Sequence, residues 1–323
     1  MRIAVYFEFD IISSQNTLRG VTLKDSHGRT IDYLRISLTD HCNFRCRYCK
    51  PKEIWDKFDA YLPHEELLNF EELYRISRIA VEHGVRKIRL TGGEPLVRKG
   101  VVELVDAITG IEGIENVSMT TNGVLLPRMI GDLKAAGLSR VNISLDTLDP
   151  VQFHEITRTG RLEDTLAGID AALAAGLNPV KVNAVAVRSL DQDFLEFAKL
   201  SIDRPLHVRF IEYMPVGDTS VAAGTGWGKE DVIPSEELFD IINERARAAG
   251  LPELRPAGAT KPLGWGPARY FEFPDALGTV GFISPLSRHF CSECNRLRVT
   301  ADGKVRPCLF SDTEYDVRTA LRA

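Results

Sequence analysis

The sequence predicts an α/β fold: a partial barrel of six strand–helix units, (βα)6, followed by a smaller β-containing C-terminal domain. Three observations predict it. Six short apolar segments with β-branched residues recur along residues 29–213, with helical patterns between them. Short polar residues fall at the ends of several of these segments, inside otherwise apolar runs. Beyond residue 254 the chain turns to Pro, Gly and short strand-like runs.

The strand segments are residues 33–38, 87–90, 117–121, 140–145, 180–187 and 207–213. Helical patterns fall at 70–83, 99–108, 127–136, 162–175 and 194–201. The first helix is the best marked: Asn69 suits the N-cap, Glu72 stands three residues on, and Gly84 stops it. Strands alternating with helices imply βα units and a parallel sheet. Eight units would close a full barrel, so six leave one side open. Residues 214–233 are rich in Gly and small residues and read as a long loop. Residues 235–249 read as a helix stopped by Gly250. The domains are therefore a lead-in (1–28), a barrel (29–233) and a C-terminal domain (234–323).

A chain of 323 residues admits one large or two ordinary domains. With 44% apolar and 26% charged residues it is globular, which excludes a disordered, collagen-like or coiled-coil chain. No apolar run is long enough to span a membrane. The N-terminus alternates apolar and charged residues and lacks the parts of a secretory signal, so a cytoplasmic protein is expected. A net charge of −5 argues against nucleic acid as the main partner.

The six cysteines form two triplets, Cys42, Cys46, Cys49 and Cys291, Cys294, Cys308. Clustered cysteines in a chain without an export signal read as metal or iron–sulfur ligands rather than disulfides. The first triplet is C-x3-C-x2-C and follows the first strand, on the rim where barrel active sites lie. Three thiolates can hold three corners of a 4Fe-4S cluster and leave one iron open to a ligand. A structural zinc site would need a fourth ligand. His41 adjoins Cys42 and would reach the same metal poorly. The second triplet, C-x2-C-x13-C, also has three ligands, and zinc with His289 as the fourth is the alternative there.

The C-x3-C-x2-C spacing, with Tyr48 before the last cysteine, resembles the radical S-adenosylmethionine superfamily. Thr91-Gly92-Gly93-Glu94-Pro95 at the second strand end resembles that superfamily's GGE motif. Two glycines permit close backbone approach, and a carboxylate can accept from an ammonium. The resemblance implies a TIM-like partial barrel binding one 4Fe-4S cluster and S-adenosylmethionine. Tyr48, Gly92, Gly93, Glu94, Thr121, Ser144 and the Met214 backbone would contact the cofactor. Thr120, Asn122 and Asp146 share the strand ends and read equally as caps and turn formers.

Five cations, Arg35, Lys87, Arg89, Lys181 and Arg209, lie within predicted strands. A buried charge is costly unless paired. Five of them spread over separate strands suggest a polyanion inside the barrel, a triphosphate being the natural candidate. Buried salt bridges to Glu94, Asp146 or Glu212 are the alternative.

Phe290-Cys291-Ser292-Glu293-Cys294-Asn295-Arg296-Leu297-Arg298 and Asp302-Gly303-Lys304-Val305-Arg306-Pro307-Cys308 resemble the molybdenum cofactor biosynthesis protein A family, the GTP 3′,8-cyclases. Lys181-Val182-Asn183 and Arg209–Met214 belong to the same resemblance, which covers about residues 28–312. It implies a second 4Fe-4S cluster on Cys291, Cys294 and Cys308 that meets the guanine of GTP. It also implies that Arg35, Lys87, Lys181, Asn183, Arg209, Arg296 and Arg298 bind the nucleotide. The implied reaction is one-electron cleavage of S-adenosylmethionine, hydrogen abstraction at C3′ of GTP and closure on C8, giving 3′,8-cyclo-7,8-dihydro-GTP. The implied partners are reduced ferredoxin or flavodoxin as electron donor, a second copy in a homodimer, and cyclic pyranopterin monophosphate synthase as recipient of the product. The family's Gly-Gly tail is not found before Ala323, so a truncated C-terminal domain is expected; Lys50 stands where the family has Met. Three alternatives stay open: another radical S-adenosylmethionine enzyme with an auxiliary cluster, a two-cluster carrier or zinc module, and a tail-less paralogue that binds both ligands.

Overall fold

Each apolar segment forms a strand within a residue or so of its expected limits: β1 (Tyr33–Ser37), β2 (Lys87–Thr91), β3 (Asn116–Thr121), β4 (Arg140–Ser144), β5 (Val180–Ala186) and β6 (Leu206–Glu212). The computed structural model describes residues 22–25, 28–49, 61–215, 227–262, 266–311 and 313–323. Lys50 and most of the lead-in lie outside the described residues.

The strands pair in parallel in chain order, β1 to β6. Val180, Val182, Ala184 and Ala186 of β5, on the face away from the cavity-lining Lys181 and Asn183, are fully buried, because helices cover a parallel sheet on its outer face. Those helices are α1 (Phe70–Glu82), α2 (Val101–Thr109), α3 (Leu126–Ala135), α4 (Pro150–Thr157), α5 (Leu162–Ala174), α6 (Phe194–Lys199) and α7 (Ser235–Ala248). On α1 the capping box forms as expected: Glu72 N donates to Asn69 Oδ1 at 2.8 Å, and Asn69 N donates to Glu72 Oε2 at 2.7 Å. Helix α4 was not anticipated. It is short, and its only strong signals are Asp149, which accepts from Gln152 N at 2.7 Å, and Pro150 at its first turn.

The C-terminal residues do not make a sheet of their own. Strand β9 (Thr279–Ile283) pairs in parallel with β6, and β10 (Arg296–Val299) pairs in parallel with β1. Short antiparallel strands extend both edges: β7 (Arg255–Pro256) and β8 (Arg269–Glu272) beyond β9, and β11 (Lys304–Arg306) and β12 (Tyr315–Asp316) beyond β10. The open side of the six-unit barrel is thus flanked by strands from the same chain.

Residues 284–295 connect β9 to β10. Because both strands run parallel to β1–β6, this segment leaves the C-terminal rim of one sheet edge and enters the N-terminal rim of the other. Glu212, at the end of β6, fastens its start. Its carboxylate accepts from Leu286 N and Ser287 N at 3.0 Å each, from Ser235 N at 2.8 Å and from the Ser287 hydroxyl. These bonds hold the Glu212 carboxyl below the usual carboxylate range against the opposing effect of burial. Among the described residues no helix is long and apolar enough to cross a membrane.

Candidate active site

Among the described residues, a smaller and a larger cavity open within the barrel. The smaller, about 160 Å³, lies at the C-terminal strand ends. It gathers Cys42, Cys46, Cys49, Tyr48, Gly92, Gly93, Glu94, Thr121 and Ser144, together with Thr120, Asn122 and Asp146. The cysteine loop is laced to the end of β2. Gly93 N donates to Thr39 O, and Glu94 N to His41 O, each at 2.7 Å. A Cβ on Gly93 would lie 2.2 Å from the His41 carbonyl oxygen. The close approach expected of this glycine is therefore made to the backbone of the cysteine loop itself.

Glu94 is 1% exposed. Its carboxylate accepts from Thr121 Oγ1 and Asn122 N at 2.7 Å and from Leu96 N at 3.1 Å. Burial pushes the carboxyl up to about 7, against those bonds. Tyr48 donates to Asp146 Oδ2 at 2.6 Å, and Val185 N donates to Asp146 Oδ1 at 2.9 Å. The Tyr48 ring stacks on Trp227 with centroids 6.0 Å apart. Burial raises the Cys42 thiol to about 11 and lifts Cys46 well above the thiol range. Burial therefore favours the neutral thiols, and a bound metal would reverse that preference by taking up thiolate. Among the described residues no three His, Cys, Asp or Glu side chains converge to hold a single metal ion. The donor set and the pocket beside it suit a larger iron–sulfur group.

The larger cavity, about 450 Å³, contains all seven residues expected to bind the nucleotide: Arg35, Lys87, Lys181, Asn183, Arg209, Arg296 and Arg298. Cys291, Cys294 and Cys308 line the same cavity. Met214 also lines this cavity, not the smaller one. Cys294 precedes the N-terminal end of β10, whereas Cys42 follows the C-terminal end of β1. The two triplets thus lie at opposite rims of parallel strands.

Register sets the cations in a row. Arg298 on β10, Arg35 on β1 and Arg89 on β2 are direct cross-strand neighbours, and the row continues through Ser118 on β3 to Arg140 on β4. Like charges side by side on one sheet are destabilising. Burial pushes Arg35 and Arg89 below the arginine range; around Arg35 the guanidiniums of Arg89, Arg296 and Arg298 add to the effect. Burial, then Arg209, Arg89 and Arg140, push Lys181 down to about 6. Arg35 Nε and Arg296 Nε are buried with no hydrogen-bond partner among the described residues.

The three carboxylates named as alternative partners are all engaged elsewhere, with Thr121, Tyr48 and Ser235 among their donors. Only Lys87 of the five strand cations has a carboxylate at ion-pair distance among the described residues: Asp32, at 2.5 Å. Gly281 makes room for this layer. A Cβ there would lie 2.9 Å from the Tyr270 ring and 3.1 Å from Arg209 Cγ. The cavity's closely set, mutually repelling cations fit a polyanion.

A family model described as the Radical SAM superfamily matches residues 36–201, and one described as Molybdenum Cofactor Synthesis C matches residues 206–323. A protein of Pelotomaculum thermopropionicum named GTP 3′,8-cyclase is 50% identical over 301 residues, which are 93% of this chain and 88% of that protein. The chain belongs to the GTP 3′,8-cyclase family of radical SAM proteins. The cyclase of Heliobacterium modesticaldum is 49% identical over 303 residues, 92% of this chain and 86% of its own. Membership in the superfamily implies one 4Fe-4S cluster and S-adenosylmethionine.

Among solved structures, SuiB of Streptococcus suis bound to S-adenosylmethionine has a TM-score of 0.59 at 16% identity, over 92% of this chain. The chain spans only 65% of SuiB's length. AnSMEcpe with bound AdoMet has a TM-score of 0.50 at 16% identity, over 87% of this chain and 72% of its own. At these identities the likeness is one of fold.

Several cavity residues had no role assigned from the sequence. Arg29 donates to the Cys291 carbonyl and so ties the lead into β1 to the second cysteine loop. Tyr33 offers its ring to Arg89 and Arg296, with the guanidinium carbons 5.6 and 6.0 Å from its centroid. Arg140 and Asn142 stand within a predicted strand, and the test that found the other strand cations also finds Arg140. Asn142 had only its polarity in an apolar run to mark it.

Proposed function

We propose that this chain converts GTP to 3′,8-cyclo-7,8-dihydro-GTP, the first step of molybdenum cofactor biosynthesis. The observation that carries the reading is the row of neighbouring cations, Arg298, Arg35, Arg89 and Arg140, in the larger cavity, on the same strands whose opposite ends hold the first cysteine loop. Such a row is costly in the empty protein, and a triphosphate relieves that cost.

Cys42, Cys46 and Cys49 would hold the first 4Fe-4S cluster, and Gly92, Gly93, Glu94, Thr121 and Ser144, which line the same cavity, would bind S-adenosylmethionine. When bound, this pair supplies one-electron cleavage chemistry that side chains cannot. Cys291, Cys294 and Cys308 would hold a second cluster beside the nucleotide. Arg35, Lys87, Lys181, Arg209, Arg296 and Arg298 would bind the triphosphate and ribose by charge-assisted hydrogen bonds, with Asn183 orienting Arg209. Tyr48 and Asp146 would help wall the smaller cavity against water. What the chain contributes to rate is placement: it holds two reactants in one barrel in a fixed relation.

The partners of this reading are reduced ferredoxin or flavodoxin as donor, a second copy in a homodimer, and cyclic pyranopterin monophosphate synthase as consumer of the product. A reducing, cytoplasmic setting suits open clusters.

The test is an anaerobic assay of reconstituted protein with S-adenosylmethionine, reductant and GTP. The expected result is 5′-deoxyadenosine together with a product of the same mass as GTP and a different retention time, both dependent on GTP. Formation of 5′-deoxyadenosine with a peptide or other substrate, and none with GTP, would overturn the reading.

A further inference from the structure

Asn142 lies in the middle of β4, lines the larger cavity and is 2% exposed. With its amide oxygen turned toward the guanidiniums, it accepts from Arg209 Nη2 at 2.9 Å and from Arg89 Nη1. On the next strand, Asn183 Oδ1 accepts from Arg209 Nε at 2.9 Å and from Arg209 Nη2 at 2.6 Å. On the strand before, Ser118 Oγ accepts from Arg89 Nε at 3.2 Å. Every side-chain hydrogen-bond acceptor that Arg89 and Arg209 have among the described residues is therefore neutral.

A carboxylate in the place of Asn142 would make stronger bonds to both arginines. It would also relieve the repulsion among Arg89, Arg209, Arg140 and Lys181, which share this part of the cavity. The sequence instead places an amide there. An amide aims the two guanidiniums without neutralising them, so their charge stays available to a ligand. A stabilising choice left unused at a buried position points to function.

We propose that Asn142 is a positioning residue of the nucleotide site, holding Arg89 and Arg209 toward the cavity as a neutral acceptor, and that its neutrality sets the site's affinity for a triphosphate. This inference rests on the reading of the cavity as the GTP site. Asn142 acts through the two arginines.

The test is the isosteric variant Asn142→Asp, compared with the reconstituted wild type by anaerobic equilibrium binding of GTP, GMP and guanosine and by thermal melting. The variant keeps both acceptor bonds, so its melting temperature should equal or exceed that of the wild type. Its affinity for GTP should fall by about tenfold or more, because a like charge is set against the phosphates. The loss should shrink for GMP and vanish for guanosine. GTP binding within about twofold of wild type would overturn the proposal and leave Asn142 a purely structural residue. A loss equal for GTP and guanosine would overturn it as well. If Asn142→Asp does not fold, Asn142→Ser replaces it: a shorter neutral acceptor that cannot reach both arginines should weaken GTP and spare guanosine, and unchanged GTP binding again overturns the proposal. Failure of the underlying reading looks different: the wild type itself would then bind guanosine as tightly as GTP.

Discussion

Binding of the triphosphate should draw a proton from solution, and Lys181 should be where it goes. Lys181 stands on β5 and is 7% exposed. The groups around it are Arg140 and Asn142 on β4, His207 and Arg209 on β6, Arg89 on β2, and the Tyr270 ring of β8, whose centroid is 5.9 Å from Nζ. None of these is a carboxylate. Burial, followed by the charges of Arg209, Arg89 and Arg140, brings the ammonium from its ordinary 10.5 down to about 6. At pH 8 a group titrating there is protonated in about one molecule in a hundred. A phosphate set beside it favours the charged form, so uptake should approach one proton per nucleotide bound. The sign follows directly: the contribution of this lysine to affinity is fully present below pH 6 and weakens as pH rises, by up to about tenfold per unit until the ligand-bound lysine itself titrates. Unliganded stability moves the other way. Between 6 and 10.5 the unfolded lysine binds the proton that the folded one does not, so this group makes stability rise with pH across that window. The assay is anaerobic calorimetric titration with GTP at pH 8, in two buffers of different ionisation enthalpy. At that pH the terminal phosphate, with a pKa of about 6, is already ionised and contributes little. Lys181→Arg supplies a cation that remains protonated, so it should bind GTP with little uptake. His207, held near 4 by burial and by Lys181 and Arg209, is the competing proton acceptor. Equal uptake in wild type and Lys181→Arg would refute the reasoning, as would no uptake in the wild type.

Three further outcomes follow from the same geometry. Serine at Cys42, Cys46 or Cys49 should lower iron content by about four atoms per chain and abolish cleavage of S-adenosylmethionine, whereas serine at Cys291, Cys294 or Cys308 should cost the same iron, spare the binding of S-adenosylmethionine and weaken that of GTP; iron analysis, 5′-deoxyadenosine measurement and equilibrium binding check both. Gly93→Ala should destabilise the protein by about 2 kcal/mol or more in urea unfolding, because its Cβ would meet the His41 carbonyl at 2.2 Å and that contact is backbone on both sides. Tyr48→Phe should cost about 1–3 kcal/mol by removing a donor from buried Asp146, and denaturation at pH 8 should show a larger loss than at low pH, where the protonated carboxyl no longer needs that donor.

The elements that periodicity marks were legible. Apolar β-branched runs locate β1–β6 closely, and the Asn69 and Glu72 pair fixes the start of α1. Helix α4 was missed because eight residues with little apolar periodicity leave only a cap and a proline to read. The topology of the C-terminal region was not legible at all. Nothing in residues 279–283 or 296–299 says which sheet edge each strand joins, since pairing partners are chosen by tertiary contacts far away in the chain. The cysteine spacing marked both triplets, and charge inside apolar strands marked residues that come together in the larger cavity. What spacing could not supply was the environment of each charge. That Lys87 pairs with Asp32, that Glu94 is held by Thr121 and Asn122, and that Asn142 bridges two arginines all depend on register between strands.

If GTP bound among the strand cations is the molecule on which the radical chemistry acts, the hydrogen that the radical takes comes from its C3′ carbon. The most direct measurement uses GTP carrying deuterium at C3′, incubated anaerobically with the reconstituted protein, S-adenosylmethionine and reductant. The expected result is 5′-deoxyadenosine one mass unit heavier than with unlabelled GTP, alongside the cyclised nucleotide product. Unlabelled 5′-deoxyadenosine, with the deuterium retained in the nucleotide, would contradict it.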